Sequence, residues 1–160
     1  MMRLVLLRHA AAEAARPGLP DIQRPLSPEG RAEALDAARV IIDARLRIDR
    51  LLVSPALRAR ETATLVAGEL DRTEPEHIEP ALYPGKPEEI LQTLRRCASS
   101  LGTVLVIAHN PGLSELAQRF HRVEPAIELR TAGLCCIEFD QHARWARLRP
   151  ELATRVTVLR

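Results

Sequence analysis

Short apolar runs alternate with helix-period segments along most of this chain, and that alternation constrains the fold more than any other feature. The runs are 4–7 (LVLL), 50–54 (RLLVS), 77–82 (HIEPAL) and 103–109 (TVLVIAH), each of a length that suits a buried strand. Ser27-Pro28-Glu29 reads as a capped helix start with proline in the first turn, and Leu35, Ala38 and Ile42 follow on one face. Ser54-Pro55 opens a second helix with a stripe of Ala59, Ala63, Val66, Ala67 and Leu70. Pro87-Glu88-Glu89 opens a third around Ile90, Leu91, Leu94 and Cys97, and Asn110-Pro111 a fourth around Leu113, Leu116, Ala117 and Phe120. The pattern predicts an α/β fold of three layers, α/β/α, with a mostly parallel sheet covered on both faces. After Pro125 it changes: 134–139 (LCCIEF), a turn near Asp140 and 144–149 (RWARLR) predict an antiparallel hairpin at one sheet edge. No repeat, low-complexity segment or linker interrupts the 160 residues, so a single domain over 1–160 is expected.

Composition narrows the partners. A net charge of +2 is too small to imply nucleic acid or an anionic membrane, and the few aromatics offer no stacking platform for single strands. Three cysteines, Cys97 and the adjacent Cys135 and Cys136, have neither disulfide nor metal-ligand spacing; they read as core packing in a reducing compartment. The initial MMRLVLL is too short to be a signal segment and Arg8 cuts it off. No stretch reaches membrane-spanning length. A cytoplasmic location is expected. Lys86 is the only lysine among 23 basic residues, so a single arginine says little, whereas five histidines are few enough for their positions to matter.

Two of the strand-like runs end in histidine, LVLLRH at His9 and LVIAH at His109, and a third leads into a helix with Arg58 in its first turn. Such an ending can simply be a strand meeting solvent. In an open parallel sheet, however, the carboxyl ends of the strands border the ligand crevice. Neighbouring strands would then gather Arg8, His9, Arg58 and His109 there, with the helix starts after Ser54 and Asn110 aimed at the same spot. That set suits a dianion. Without carboxylates it fits a metal poorly, so neither metal nor cofactor is expected. The long 10–25 loop, with Pro17, Gly18 and Pro20, is expected to cover the site.

The segments LLRHAAAE, RPLSPEGRAEA, LLVSPALRARETA and LVIAHNPGL, in this order, resemble the signatures of the histidine phosphatase superfamily (phosphoglycerate mutase-like), in particular its small SixA-like phosphohistidine phosphatase branch. The resemblance runs from about Arg3 to Leu116. It implies that His9 attacks phosphorus and is transiently phosphorylated, and that Arg8, Arg58 and His109 bind the phosphoryl oxygens. Arg24, in RPLS, matches a further arginine near the phosphate; the alternative is a solvated loop arginine. Arginine forks suit such oxygens because they hold two in one plane, and neighbouring guanidiniums keep a nucleophilic imidazole neutral.

The sequence departs from the wider superfamily in EPALYPG, where Ala81 stands at the position of a glutamate that serves many members as general acid. Glu79 lies on the strand, two residues too early. Asp21, in DIQRPLS, matches an aspartate of the SixA-like branch and is either the acid or an exposed loop carboxylate; Glu13 reads as a partner for an arginine. His77, His121 and His142 read as surface residues, and Trp145 as hairpin packing. The resemblance implies a metal-independent phosphatase acting on a phosphohistidine-bearing protein, with phosphate or other oxyanions entering the site. A phosphomonoesterase for a small molecule and a catalytically silent phosphoprotein-binding module are the alternatives; a mutase would require a more enclosed site.

Overall fold

Alternate residues of β1 (Arg3–Arg8) and β4 (Thr103–Ala108) divide the apolar interior in two. Leu4, Leu6, Val104 and Val106 face one core, and Val5, Leu7, Leu105 and Ile107 face the other. All eight are buried, as the two-sided burial of a central parallel strand requires. The computed structural model describes residues 1–74 and 76–160. Its six-stranded sheet also contains β2 (Arg50–Val53), β3 (His77–Ile78), β5 (Leu134–Phe139) and β6 (Ala153–Val158), in the order β3-β2-β4-β1-β5-β6. The first four strands in chain order are parallel, whereas β5 and β6 add antiparallel edge pairs. The sheet is thus the mostly parallel one expected, with its antiparallel edge.

Helices α1 (Pro28–Asp43) and α2 (Leu57–Glu69) cover one face, and α3 (Pro87–Arg95) and α4 (Gly112–His121) the other. Ser27 caps α1 by accepting a hydrogen bond from the Gly30 amide at 3.0 Å. The buried stripe of α1 is Ala34, Ala37, Ala38 and Ile41, so the expected Leu35–Ala38–Ile42 face is turned by about one residue, and Ile42 is exposed. Small residues win that contact because α1 packs on the Ala59 and Ala63 side of α2, where alanines allow close approach. Gly30 and Gly112 mark two other close approaches. A Cβ at Gly30 would stand 1.9 Å from the Ala11 carbonyl oxygen, and one at Gly112 would stand 1.8 Å from that of Gly85.

Three further expectations are corrected. The strand expected over 77–82 is only His77–Ile78, because Pro80 has no amide to donate and starts a 3-10 turn at Pro80–Leu82. The second hairpin strand is Ala153–Val158 rather than 144–149. The earlier segment forms a 3-10 turn, Trp145–Arg147, which drives Trp145 and Leu148 into the core; the Trp145 indole N–H donates to the Leu101 carbonyl at 2.7 Å. Cys97 lies just beyond α3 rather than within it. All three cysteines are free, Cys135 and Cys136 buried and Cys97 half-buried. His77 and His142 are exposed, and His121 is half-buried. Among the described residues no helix is long and apolar enough to cross a membrane.

Candidate active site

Sheet register assembles the site. Arg8 lies opposite Ala108 in the β1–β4 pair, so His9 and His109 each stand one residue past adjacent strand ends. The His9 amide donates to the Ala108 carbonyl at 3.1 Å, and the two imidazole centroids are 5.0 Å apart. On the other side of β4, β2 ends at Val53 opposite Ile107, and the Ser54 amide donates to the Ile107 carbonyl at 3.0 Å. Ser54 does not cap a helix directly after the strand. Helix α2 begins at Leu57, and the Ser54 hydroxyl pairs instead with His109 Nε2 at 2.6 Å, while accepting from the Ala56 amide.

Arg8, His9, Arg24, Arg58 and His109 line one open cavity of about 370 Å³, together with Ala11, Ala12, Asn110 and Thr131. Arg58 comes from the first turn of α2, and Asn110 from the residues before α4. The 10–25 loop borders this cavity, supplying Ala11, Ala12 and Arg24. Among the described residues, three guanidiniums and two imidazoles line it, and no carboxylate does. Such a lining selects an oxygen anion.

Hydrogen bonding sets the tautomer of His9. Its Nδ1 lies 2.7 Å from the Ala10 carbonyl oxygen, which can only accept, so Nδ1 carries the proton. Nε2 therefore holds the lone pair, and Arg58 Nε donates toward it at 3.4 Å. Burial, with His9 only 8% exposed, pushes its pKa from 6.5 to about 4. The charges of Arg58, Arg8 and Arg24 act in the same direction, against the opposing pull of the Ala10 carbonyl. His109 is lowered to about 3, first by burial, then by His9 and Arg58. Both imidazoles are neutral. The Nδ1 of His109 and the Nε of Arg8 are buried without a hydrogen-bond partner among the described residues.

Asp21 stands outside the lining, at the cavity's rim, and takes three hydrogen bonds. Tyr83 Oη donates at 2.7 Å, Arg58 Nη2 at 3.0 Å and Arg24 Nε at 3.0 Å. The Tyr83 hydroxyl above all, and then the two guanidiniums, hold its carboxyl well below the usual carboxylate range. Asp21 is thus ionised here, and its own backbone carbonyl takes Arg58 Nη1 at 2.8 Å. Glu13 meets an arginine through its backbone carbonyl rather than its side chain, accepting from Arg24 Nη1 at 2.7 Å. Glu79 pairs with Arg96 at 3.5 Å.

Several supporting residues carried no signal in the sequence. Buried Thr62 accepts from the Ala10 amide at 3.1 Å and donates to the Arg58 carbonyl at 2.7 Å, tying the residue after His9 to α2. Glu33 takes the Ala11 amide at 2.9 Å and the Thr131 hydroxyl at 3.1 Å. The Leu129 carbonyl takes both Arg8 Nη1 at 3.1 Å and Asn110 Nδ2 at 2.7 Å.

Comparison with known proteins places this geometry in context. The profile of the histidine phosphatase superfamily (branch 1) matches residues 4–83. An uncharacterized protein of Mycobacterium tuberculosis (strain H37Rv) is 30% identical over 159 residues, covering 94% of this chain and 96% of its own. Phosphohistidine phosphatase SixA of Escherichia coli (strain K12) is 28% identical over 144 residues, covering 88% and 87%. A structure of the protein histidine phosphatase SixA complexed with tungstate superposes with a TM-score of 0.78 at 27% identity, covering 88% of this chain and 90% of the other.

Proposed function

Because the chain belongs to the histidine phosphatase superfamily and is a phosphatase, we propose that residues 1–160 act as one domain that removes phosphate from phosphohistidine in a protein, through a phosphoryl group carried on His9. The observation that carries this reading is an unprotonated Nε2 on His9, in a cavity lined by three guanidiniums and, among the described residues, no carboxylate.

His9 Nε2 attacks phosphorus. A P–N bond forms to His9 as the P–N bond to the substrate imidazole breaks, and the departing imidazole nitrogen takes a proton from water. Arg8, Arg24 and Arg58 bind the phosphoryl oxygens, where charge spreads in the transition state. With the Ser54 hydroxyl as donor in its 2.6 Å bond to His109 Nε2, a neutral His109 carries its proton on Nδ1 and can offer it to a further oxygen. Water then attacks the phosphorus on His9, releasing inorganic phosphate and returning the lone pair to Nε2.

The substrate class follows from proton supply. An alkoxide leaves poorly without a general acid, and the Asp21 carboxyl, bonded to two of the lining arginines, is ionised and shared among Tyr83, Arg58 and Arg24. We assign Asp21 to positioning Arg58 and Arg24 rather than to delivering a proton. Imidazole needs less help. kcat/KM should therefore fall in the order phosphohistidine protein, aryl phosphate, alkyl phosphate. Preference for a sugar phosphate would favour the small-molecule phosphomonoesterase, and absence of turnover on all three would favour a silent binding module.

A further inference from the structure

A second concavity, of about 770 Å³, shares Asn110 with the catalytic cavity and runs along α4, with residues 126–128 as its far wall. Pro111 and Ala126 are exposed there and Ile127 is half-buried, giving the groove an apolar lining beside the reaction centre. Two exposed carboxylates, Glu115 and Glu128, border it, and neither has an ion-pair partner among the described residues. Arg119, the one cation in the lining, is neutralised by Glu88 at 2.8 Å.

The wall is held in shape. Gln118 accepts from the Ile127 amide at 2.8 Å and donates to the Val123 carbonyl at 3.0 Å, and Ser114 Oγ accepts from the Leu129 amide at 2.9 Å. The Leu129 carbonyl, at the end of that wall, anchors Arg8 and Asn110 of the catalytic cavity. The groove and the cavity are thus parts of one continuous surface.

Resting on the phosphohistidine reading above, we propose that this groove seats the phosphohistidine-bearing protein, taking an apolar side chain flanked by a lysine or arginine close to the phosphorylated residue. His9 is 8% exposed, and a cavity of about 370 Å³ has room for a phosphoryl group and an imidazole but not for a protein surface. Selectivity for a protein must then come from the rim. From Pro111 to Gln118 the groove spans about 10 Å of helix length, which matches one to two turns of a helix on the substrate. The apolar lining between unpaired carboxylates calls for an apolar side chain with a cation beside it.

Two synthetic peptides, each with one phosphohistidine, test this. One carries leucines three, four and seven residues from the phosphohistidine and a neighbouring lysine; the other has serine at those four positions. The wild-type protein should cleave the first with a kcat/KM higher by about tenfold. Ala126→Arg and Glu115→Lys, both at exposed positions, should each erase most of that preference while leaving p-nitrophenyl phosphate turnover within about twofold of wild type. Equal cleavage of the two peptides by wild type, or a preference that survives both substitutions, would overturn the groove assignment alone. Failure to cleave either peptide while p-nitrophenyl phosphate is still hydrolysed would overturn the phosphohistidine reading and the groove with it.

Discussion

At pH 5.5 an imidazole of ordinary pKa, 6.5, is about 91% protonated, whereas one titrating near 4 is about 3% protonated. His9 belongs to the second group. The perturbation to apply is therefore acid, in wild type and in Arg58→Ala. In ¹⁵N spectra of histidine-labelled protein at pH 5.5, with His9 assigned by loss of its signal in His9→Gln, the His9 nitrogens should show the neutral pattern, protonated at Nδ1. Burial is the largest cause of the shift and Arg58 a smaller one, so removing the guanidinium should raise the midpoint while leaving it below 6.5. Stability follows from the same shift. Between pH 6.5 and 4 the unfolded chain binds the proton and the folded one does not, so folding stability falls as pH drops through that window. The loss from His9 is at most roughly 3.5 kcal/mol, at about 1.4 kcal/mol per pH unit over that window, and should appear as a falling urea midpoint. A predominantly protonated His9 at pH 5.5 in the wild-type protein would refute the reasoning about its burial and neighbours.

Arg8→Ala and Arg58→Ala should each cost ~2–4 kcal/mol of transition-state stabilisation, read as kcat/KM, by the scale of losing one oxyanion donor. Arg24→Ala should cost less, because Arg24 sits on the 10–25 loop with its side chain 21% exposed, against 6% for Arg58; equal small losses in all three would contradict the cradle. Asp21→Asn should slow aryl and alkyl phosphates by a common factor, since it loosens Arg58; a loss confined to the alkyl ester would restore Asp21 as the acid. Gly112→Ala should lower the stability measured in urea by ~1–3 kcal/mol or more, because the new Cβ would meet the Gly85 carbonyl oxygen at 1.8 Å. An unchanged midpoint there would show that the α4 start yields easily.

The sheet and the four cavity residues were legible because Arg8, His9 and His109 stand at the ends of strands with unmistakable apolar runs, and Arg58 in the first turn of the helix that follows β2. Once β1, β2 and β4 are parallel neighbours, their carboxyl ends must converge. Edge features were harder to read. RWARLR offers apolar side chains at Trp145, Ala146 and Leu148, as a short strand would, yet the chain spends Trp145 and Leu148 on plugging the core from a 3-10 turn. The true edge strand, Ala153–Val158, has the β-branched Thr154, Val156, Thr157 and Val158, a signal that was present. Ser54, Thr62, Tyr83 and Leu129 stayed hidden for another reason. Each acts through a tertiary contact, and Leu129 acts through a backbone carbonyl that no side-chain pattern reveals.

If His9 carries the phosphoryl group between substrate and water, the phosphorylated protein can be trapped. Wild-type protein should be mixed with a phosphohistidine peptide, quenched in base within the first turnover, digested and mapped by mass spectrometry. An acid-labile phosphoryl group should appear on His9 in wild type, and none in His9→Ala, whose turnover should be abolished while its circular dichroism is unchanged. A phosphoryl group on any other residue, or turnover by His9→Ala within about tenfold of wild type, would contradict this role of His9.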